Sequence, residues 1–172
     1  LVTGSHPLYR DLEDALARIK SSAAACVFGS GYLANLGIPP SLVGGGDLIL
    51  ADALAHASIH AGMRASRARA ELFAHNDVGD CRRRLRDLRA AHRRCLIVTE
   101  GVFSMDGDRA PLADLADLAD EYDAWLMTDD AHGLAPDRGR VRAVVLALGQ
   151  PGQHPRRARE EPHVVDGPGD VE

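Results

Sequence analysis

The feature that most constrains the fold is a series of short apolar runs separated by stretches with helical character. Runs that are apolar throughout are typical of strands buried on both faces, as in parallel sheets covered by helices on each side. The sequence therefore predicts an α/β fold with three layers, in which a mostly parallel sheet carries helices on both faces. The five predicted strands are residues 23–28, 47–52, 71–76, 95–101 and 125–130.

The stretches between these runs have the spacing or the composition of helices. Leu8, Leu12, Leu16 and Ile19 recur at helical intervals after Pro7, a residue that suits the first turn of a helix. One predicted helix begins at Pro7. The other predicted helices cover residues 32–37, 53–69, 80–94 and 111–122.

Length and composition indicate one globular domain. The chain has 172 residues, of which 45% are apolar and 26% charged, and no apolar run approaches the roughly 20 residues that cross a bilayer. We therefore expect a cytoplasmic protein that does not bind a membrane. Residues 1–134 are expected to form the domain and residues 135–172 a divergent tail, rich in proline and arginine, whose last part is disordered.

Charge and cysteine spacing argue against two other kinds of site. Residues 64–94 hold ten arginines, but those on the predicted helix 80–94 have no aromatic residues between them. We therefore predict a solvated helix face and no nucleic-acid partner. The three cysteines form no C-x-x-C pair, so we expect buried thiols rather than a disulfide framework or a zinc ribbon.

Three polar segments directly follow predicted strands. They are FAHND at 73–77, TEGVFSMDGD at 99–108 and TDDAHG at 128–133. Ligand sites of parallel sheets lie outside the carboxyl ends of the strands. We therefore expect these segments to meet on one rim of the sheet, where their side chains form the functional site.

The segment TDDAHG leaves three interpretations open. Asp130 could cap a following helix, with His132 merely nearby. A metal could instead be bound by Asp129 and His132 together with His56 and His60, which share one helical face. In the third interpretation Asp129 pairs with the protonated ring nitrogen of a cofactor, while His132 binds an oxygen of the same ring.

Five segments in one order resemble the first half of the large domain of the α-oxoamine synthases. This family consists of fold-type I enzymes that depend on pyridoxal phosphate (PLP). The resemblance covers about residues 1–134, and five ordered motifs are far more specific than any single one. The segments are GSGYLAN (29–35), GDLILADALAHAS (46–58), FAHNDV (73–78), VTEGVFSMDGDRAPL (98–112) and LMTDDAHG (126–133).

The resemblance implies roles for individual residues. Asp129 matches the aspartate that keeps the pyridine nitrogen of PLP protonated, and His132 matches the histidine that binds the phenolic oxygen. Ser104 matches another hydrogen-bonding partner of the cofactor, and His56 matches the imidazole that stacks over the ring. Without the resemblance, Ser104 would be interpreted as a cap and His56 as a satisfied core histidine.

Gly31 and Tyr32 match a pair that the family places beside the cofactor at the start of a helix. Free amides and the helix dipole at such a position suit an anion. A lone GSG segment, by itself, usually indicates only a turn.

The implied reaction is a decarboxylative condensation of an amino acid with an acyl-CoA thioester. The motifs resemble most the branch that condenses L-alanine with pimeloyl-CoA in biotin biosynthesis. Glycine C-acetyltransferase, 5-aminolevulinate synthase and serine palmitoyltransferase are alternatives within the family. Outside it, the alternatives are a metal-dependent hydrolase that uses His56, His60, Asp129 and His132, and a remnant that keeps the fold without the activity. Family members are homodimers, so a homodimer is expected.

The sequence departs from the family pattern after Gly133. The reaction needs a lysine amine, which the family places after the Asp-x-x-His motif, whereas residues 133–172 contain no lysine. Lys20, the only lysine of the chain, lies on the first predicted helix, where we interpret it as a snorkelling surface residue. We therefore expect a truncated or frame-shifted chain that is inactive alone.

Overall fold

The structure is a computed structural model that describes residues 6–133 and 143–145. Five α-helices, one 3₁₀ turn and five strands alternate along these residues. In chain order they are α1 (Pro7–Lys20), α2 (Gly31–Leu42), β1 (Leu48–Asp52), α3 (Ala57–Ser66), β2 (Arg69–Phe73), α4 (Val78–Leu88), the 3₁₀ turn Arg89–Ala91, β3 (Cys95–Glu100), α5 (Leu112–Glu121), β4 (Trp125–Asp129) and β5 (Ala143–Val145).

All five strands belong to one parallel sheet with the order β2-β1-β3-β4-β5. The register pairs Glu100 at the end of β3 with Asp129 at the end of β4. The central strands β1 and β3 are buried along their whole length, which explains why their sequences are apolar throughout.

Successive residues of β1, β3 and β4 enter two separate cores, one on each face of the sheet. On β1, Leu48 and Leu50 face a core built with α4 and α5, whereas Ile49 and Ala51 face a core built with α2 and α3. This period of two is the geometry of a strand. The three-layer α/β fold predicted from the sequence is confirmed.

The predicted strand at residues 23–28 is wrong. This segment has no regular structure, and Cys26 and Phe28 are exposed. Val27 donates its amide hydrogen to Glu13 of α1 at 3.0 Å instead of joining the sheet. Three of the six residues are alanine, which is depleted in strands and has little surface to bury.

Other element boundaries moved by a few residues. Strand β2 ends at Phe73, because the following residues form a turn in which Asn76 has a φ of 54°. Helix α3 begins at Ala57 rather than at residue 53, because the His56 side chain caps it by accepting a hydrogen bond from the Ser58 amide.

Several other expectations concern single residues or the tail. Cys81 and Cys95 are buried as expected, but Cys26 is exposed. None of the helices among residues 6–133 is long and apolar enough to cross a membrane. The expected disorder of the last residues and the divergence of the tail concern residues 134–142 and 146–172, which lie outside the described part.

Candidate active site at the carboxyl ends of the strands

Asp129 ends β4 with a carboxylate that is 5% exposed. One oxygen, Oδ2, accepts a hydrogen bond from the Asn35 side-chain amide at 2.6 Å. The other, Oδ1, accepts one from the backbone amide of Ala131 at 3.0 Å. A buried carboxylate is costly unless such partners satisfy it, so the site holds Asp129 in a defined orientation.

The Asp129 carboxylate is connected to His56 through two further side chains. The amide nitrogen of Asn35, on α2, also lies 3.0 Å from the Ser58 hydroxyl on α3. That hydroxyl lies 2.6 Å from Nδ1 of His56. The structure therefore brings His56 and Asp129 into one hydrogen-bonded network, although 73 residues separate them in the sequence.

Glu100 holds the backbone of His56 in place through a hydrogen bond. Its Oε1 accepts a hydrogen bond from the His56 amide at 2.6 Å. Burial raises the pKa of the Glu100 carboxyl to about 7, and the nearby carboxylates of Asp129 and Asp52 add to this rise. The end of β3 thus carries a carboxyl that titrates near neutral pH.

Three other predicted residues lie around this network. Helix α2 begins at Gly31, where the Ser30 hydroxyl caps it by accepting from Leu33. Asn35 follows Gly31 by one turn, about 6 Å along the axis, so the helix start lies close to Asp129. The side chains of Tyr32 and His132 are exposed at the rim.

Ser104 lies in the loop that follows β3, with an exposed side chain. The loop is closed by backbone hydrogen bonds from Phe103 to Asp108 and from Gly107 to Phe103. No hydrogen bond joins the side chains of Ser104 or His132 to the Asp129 network among the described residues. Their roles, like those of Gly31 and Tyr32, stay predictions.

The interpretation of Lys20 as a snorkelling surface residue is wrong. Its ammonium group lies 3.1 Å from Oδ2 of Asp130, and the two side chains are only 14% and 0% exposed. This ion pair connects the end of α1 to the residue after β4.

Nor does a helix follow Asp130 among the described residues, so the helix-cap interpretation finds no support.

A second polar cluster lies at the ends of β1 and β2. His75 contacts Asp52 and Asp108 at 2.8 Å each. Burial by itself would lower the pKa of His75, but these two carboxylates outweigh it and raise the pKa. Its ring also packs edge-on against Phe103, with centroids 4.5 Å apart.

The residues of the metal-hydrolase alternative do not form a metal site. Within the described part of the chain, one group of three side chains has ligand atoms within 4.8 Å of one another, and it consists of His75, Asp106 and Asp108. None of the four residues of that alternative belongs to it.

The arrangement around Asp129 fits PLP in the chemistry of its groups. A buried carboxylate can hold a protonated ring nitrogen. The start of α2, one turn before the Asn35 that contacts this carboxylate, can hold a phosphate. The one buried acceptor of Asn35 without a partner, Oδ1, lies in the same region. The site therefore has a negative end, the Asp129 carboxylate, and a positive end, the start of α2. It suits an elongated ligand with a positive group at one end and a negative group at the other.

Fold-type I enzymes have a parallel α/β sheet with a site of this chemistry at its strand ends, and we assign the chain to that class together with the solved structures it matches. Comparison with known proteins agrees with this assignment. The chain belongs to the family "aminotransferase class I and II", whose model matches residues 2–141.

Individual relatives narrow the assignment. The 8-amino-7-oxononanoate synthase of Methylocella silvestris is 58% identical over 151 residues, which cover 88% of this chain and 43% of that protein. A serine palmitoyltransferase structure from S. paucimobilis with bound PLP is 39% identical, with a TM-score of 0.72, over 75% of this chain and 33% of that one. The 8-amino-7-oxononanoate synthase structure from Francisella tularensis is 30% identical, with a TM-score of 0.59, over 74% and 36%.

The chain spans about two fifths of the length of the curated relatives it matches, between 36% and 43% for the first four. The matched part contains the whole network around Asp129.

Proposed function

We propose that this chain provides the cofactor cradle of a PLP-dependent acyltransferase of the 8-amino-7-oxononanoate synthase type. The observation that carries the proposal is the buried Asp129 carboxylate. It accepts a hydrogen bond from Asn35, which lies one turn after the start of α2, and Asn35 and Ser58 connect it to His56. Curated relatives with that name, 57–60% identical, support the choice of this branch.

In this proposal each residue contacts a different part of the cofactor. Asp129 binds the ring nitrogen and keeps its proton, and His132 donates a hydrogen bond to the phenolic oxygen. His56 covers one face of the ring and excludes water from it. The amides at Gly31 and Tyr32 bind the phosphate, and Ser104 adds a hydrogen bond from the loop after β3.

PLP supplies an electron sink that stabilises negative charge at the α-carbon of a bound amino acid. The proposed reaction joins the α-carbon of L-alanine to the carbonyl carbon of pimeloyl-CoA, with release of CoA and CO₂. The protein's part is to hold the ring nitrogen protonated through Asp129. The expected partners are therefore an amino acid, an acyl-CoA thioester and a second copy of the chain.

Proton transfer at the α-carbon requires an amine, which the family supplies from a lysine. The only lysine of this chain is Lys20, and it is ion-paired with Asp130. For this reason, binding of the cofactor tests the proposal more directly than turnover does.

The test is a titration of the 172-residue chain with PLP, monitored through the fluorescence of Trp125. This residue is the only tryptophan and lies on β4, the strand that ends in Asp129. We expect saturable binding that weakens about tenfold or more in D129N, which removes the charge without changing the shape. D114N, an exposed aspartate on α5, serves as the matched control. Equal affinities of D129N and D114N would refute the proposed cradle.

The identity of the amino acid can be tested with phosphopyridoxyl derivatives, which carry the amino acid on a stable reduced bond. We expect the L-alanine derivative to bind more tightly than the L-serine and glycine derivatives. Serine palmitoyltransferase is the second candidate, because solved structures with that name are 37–41% identical to this chain. Tighter binding of the serine derivative would favour it.

A further inference from the structure

Two residues without an assigned role connect the groups that are proposed to contact PLP. Asn35 is 1% exposed and Ser58 is fully buried. They complete a chain of hydrogen bonds from Asp129 Oδ2 through Asn35 Nδ2 and Ser58 Oγ to His56 Nδ1, with lengths of 2.6, 3.0 and 2.6 Å. We call these four side chains the relay.

Elementary hydrogen-bond chemistry fixes the direction of every bond in the relay. An ionised carboxylate only accepts, so the amide nitrogen of Asn35, and not its oxygen, must face Asp129. That nitrogen has two hydrogens, and the second points to the Ser58 hydroxyl oxygen. The Ser58 hydroxyl can then give its own hydrogen to Nδ1 of His56.

The backbone independently fixes the other end of the relay. The amide of Ser58, which can only donate, lies 3.2 Å from Nδ1 of His56. Nδ1 is therefore an acceptor, and the ring hydrogen of the neutral imidazole must lie on Nε2. Both ends of the relay are therefore acceptors, and donation runs outward from Asn35, directly to Asp129 on one side and through Ser58 to His56 on the other.

We propose that Asn35 and Ser58 are positioning residues that set the orientation of the Asp129 carboxylate and the tautomer and orientation of the His56 imidazole together. This inference rests on the proposed function for its purpose, because it assigns the relay to the two groups that hold opposite parts of PLP. Neither residue contacts the cofactor in this scheme.

The relay can be tested by NMR on the chain without cofactor. Each substitution is followed at the end of the relay that the substituted residue does not contact, which we call the far end. Asn35→Leu should shift the ¹⁵N signals of the His56 ring, which Asn35 does not touch. Ser58→Ala should shift the carboxyl ¹³C signal of Asp129, which Ser58 does not touch. The matched control is Ser66→Ala, because Ser66 is a buried serine of the same helix that bonds Met63 and Ala68 instead.

Each outcome of this NMR experiment decides the question. Far-end shifts in Ser58→Ala but not in Ser66→Ala support the relay, and unchanged far-end signals overturn it. Ser58→Ala removes only one oxygen atom, so this arm remains available if Asn35→Leu fails to fold.

A PLP titration separates the relay from the proposed function. We expect Asn35→Leu and Ser58→Ala to bind PLP about tenfold more weakly than the unmodified chain, and Ser66→Ala to bind it equally well. If the unmodified chain does not bind PLP, the proposed function fails while the far-end NMR shifts still test the relay. If it binds and Ser58→Ala binds equally tightly, the positioning role is refuted.

Discussion

Replacing Glu100 with glutamine should change how the stability of the fold depends on pH. Glu100 as a residue is 4% exposed, and burial raises the pKa of its carboxyl from 4.5 to about 7. Glutamine keeps an oxygen that can accept the 2.6 Å hydrogen bond from the His56 amide. E100Q therefore removes the buried charge while it preserves the contact.

The sign follows from proton binding. Because the folded pKa is above the unfolded one, the folded chain binds more protons between pH 4.5 and about 7, and Glu100 makes stability fall as the pH rises through this window. Each pKa unit corresponds to about 1.4 kcal/mol, so the full penalty above pH 7 is about 3 kcal/mol. E100Q should thus match the unmodified chain near pH 4.5 and exceed its free energy of unfolding by about 2 to 3 kcal/mol near pH 8.

Urea unfolding at several pH values, followed by Trp125 fluorescence, measures this difference. The control is E121Q, because Glu121 is exposed on α5 and paired with Arg82 at the surface. Its effect should be small, because an exposed ion pair contributes little to stability. A stability difference between E100Q and the unmodified chain that stays constant from pH 5 to about pH 8 would refute the reasoning, since it would show that Glu100 does not titrate in the folded state.

Two further predictions concern packing and thiol reactivity. Gly62→Ala should lower the free energy of unfolding by about 1 to 3 kcal/mol or more, because the new Cβ would overlap the backbone oxygen of Asn35. The control in the same urea assay is Gly45→Ala, whose new Cβ would have no atom within 4 Å. A thiol reagent should label Cys26 quickly and the two buried cysteines only on unfolding, because burial raises the pKa of both buried thiols to about 12. Fast labelling of all three, counted by mass spectrometry, would contradict this.

The sheet could be predicted from the sequence where burial alone determines the pattern. Strands β1, β3 and β4 have apolar runs because helices cover both of their faces, and their predicted positions agree with the structure within one residue. The run at residues 23–28 has a similar pattern but pairs with no strand in residues 6–133 or 143–145. Its environment depends on α1 and Glu13, and a local pattern of apolar residues contains no such information.

The candidate site could be predicted only in part, for the same reason. Asp129 and His56 stood out because motifs surround them, whereas Asn35 and Ser58 lie inside helices where a polar residue is easily interpreted as a solvated one. An asparagine within the apolar segment YLANLG was the one available signal. Its contact with Asp129 spans 94 residues and depends on the packing of α2 against the sheet.

The ion pair of Lys20 likewise depends on a residue that is distant in the sequence, so the local pattern could not predict it. A lysine beside an apolar stripe on an amphipathic helix is usually at the surface. The Lys20 side chain is only 14% exposed here because Asp130, 110 residues later, has a fully buried side chain and accepts a hydrogen bond from it. Spacing within α1 could not reveal a partner at the end of β4.

The packing of α2 against α3 provides the physical link between fold and site. Gly62 on α3 leaves no room for a side chain against the backbone of Asn35, so the two helices approach more closely than larger residues would permit. That approach lets Asn35 reach the Ser58 hydroxyl at 3.0 Å while it also contacts Asp129. A side chain at position 62 would have to separate the helices, which would lengthen the hydrogen bond between Asn35 and Ser58. The stability of the helix pair and the geometry of the cofactor cradle therefore depend on the same close contact.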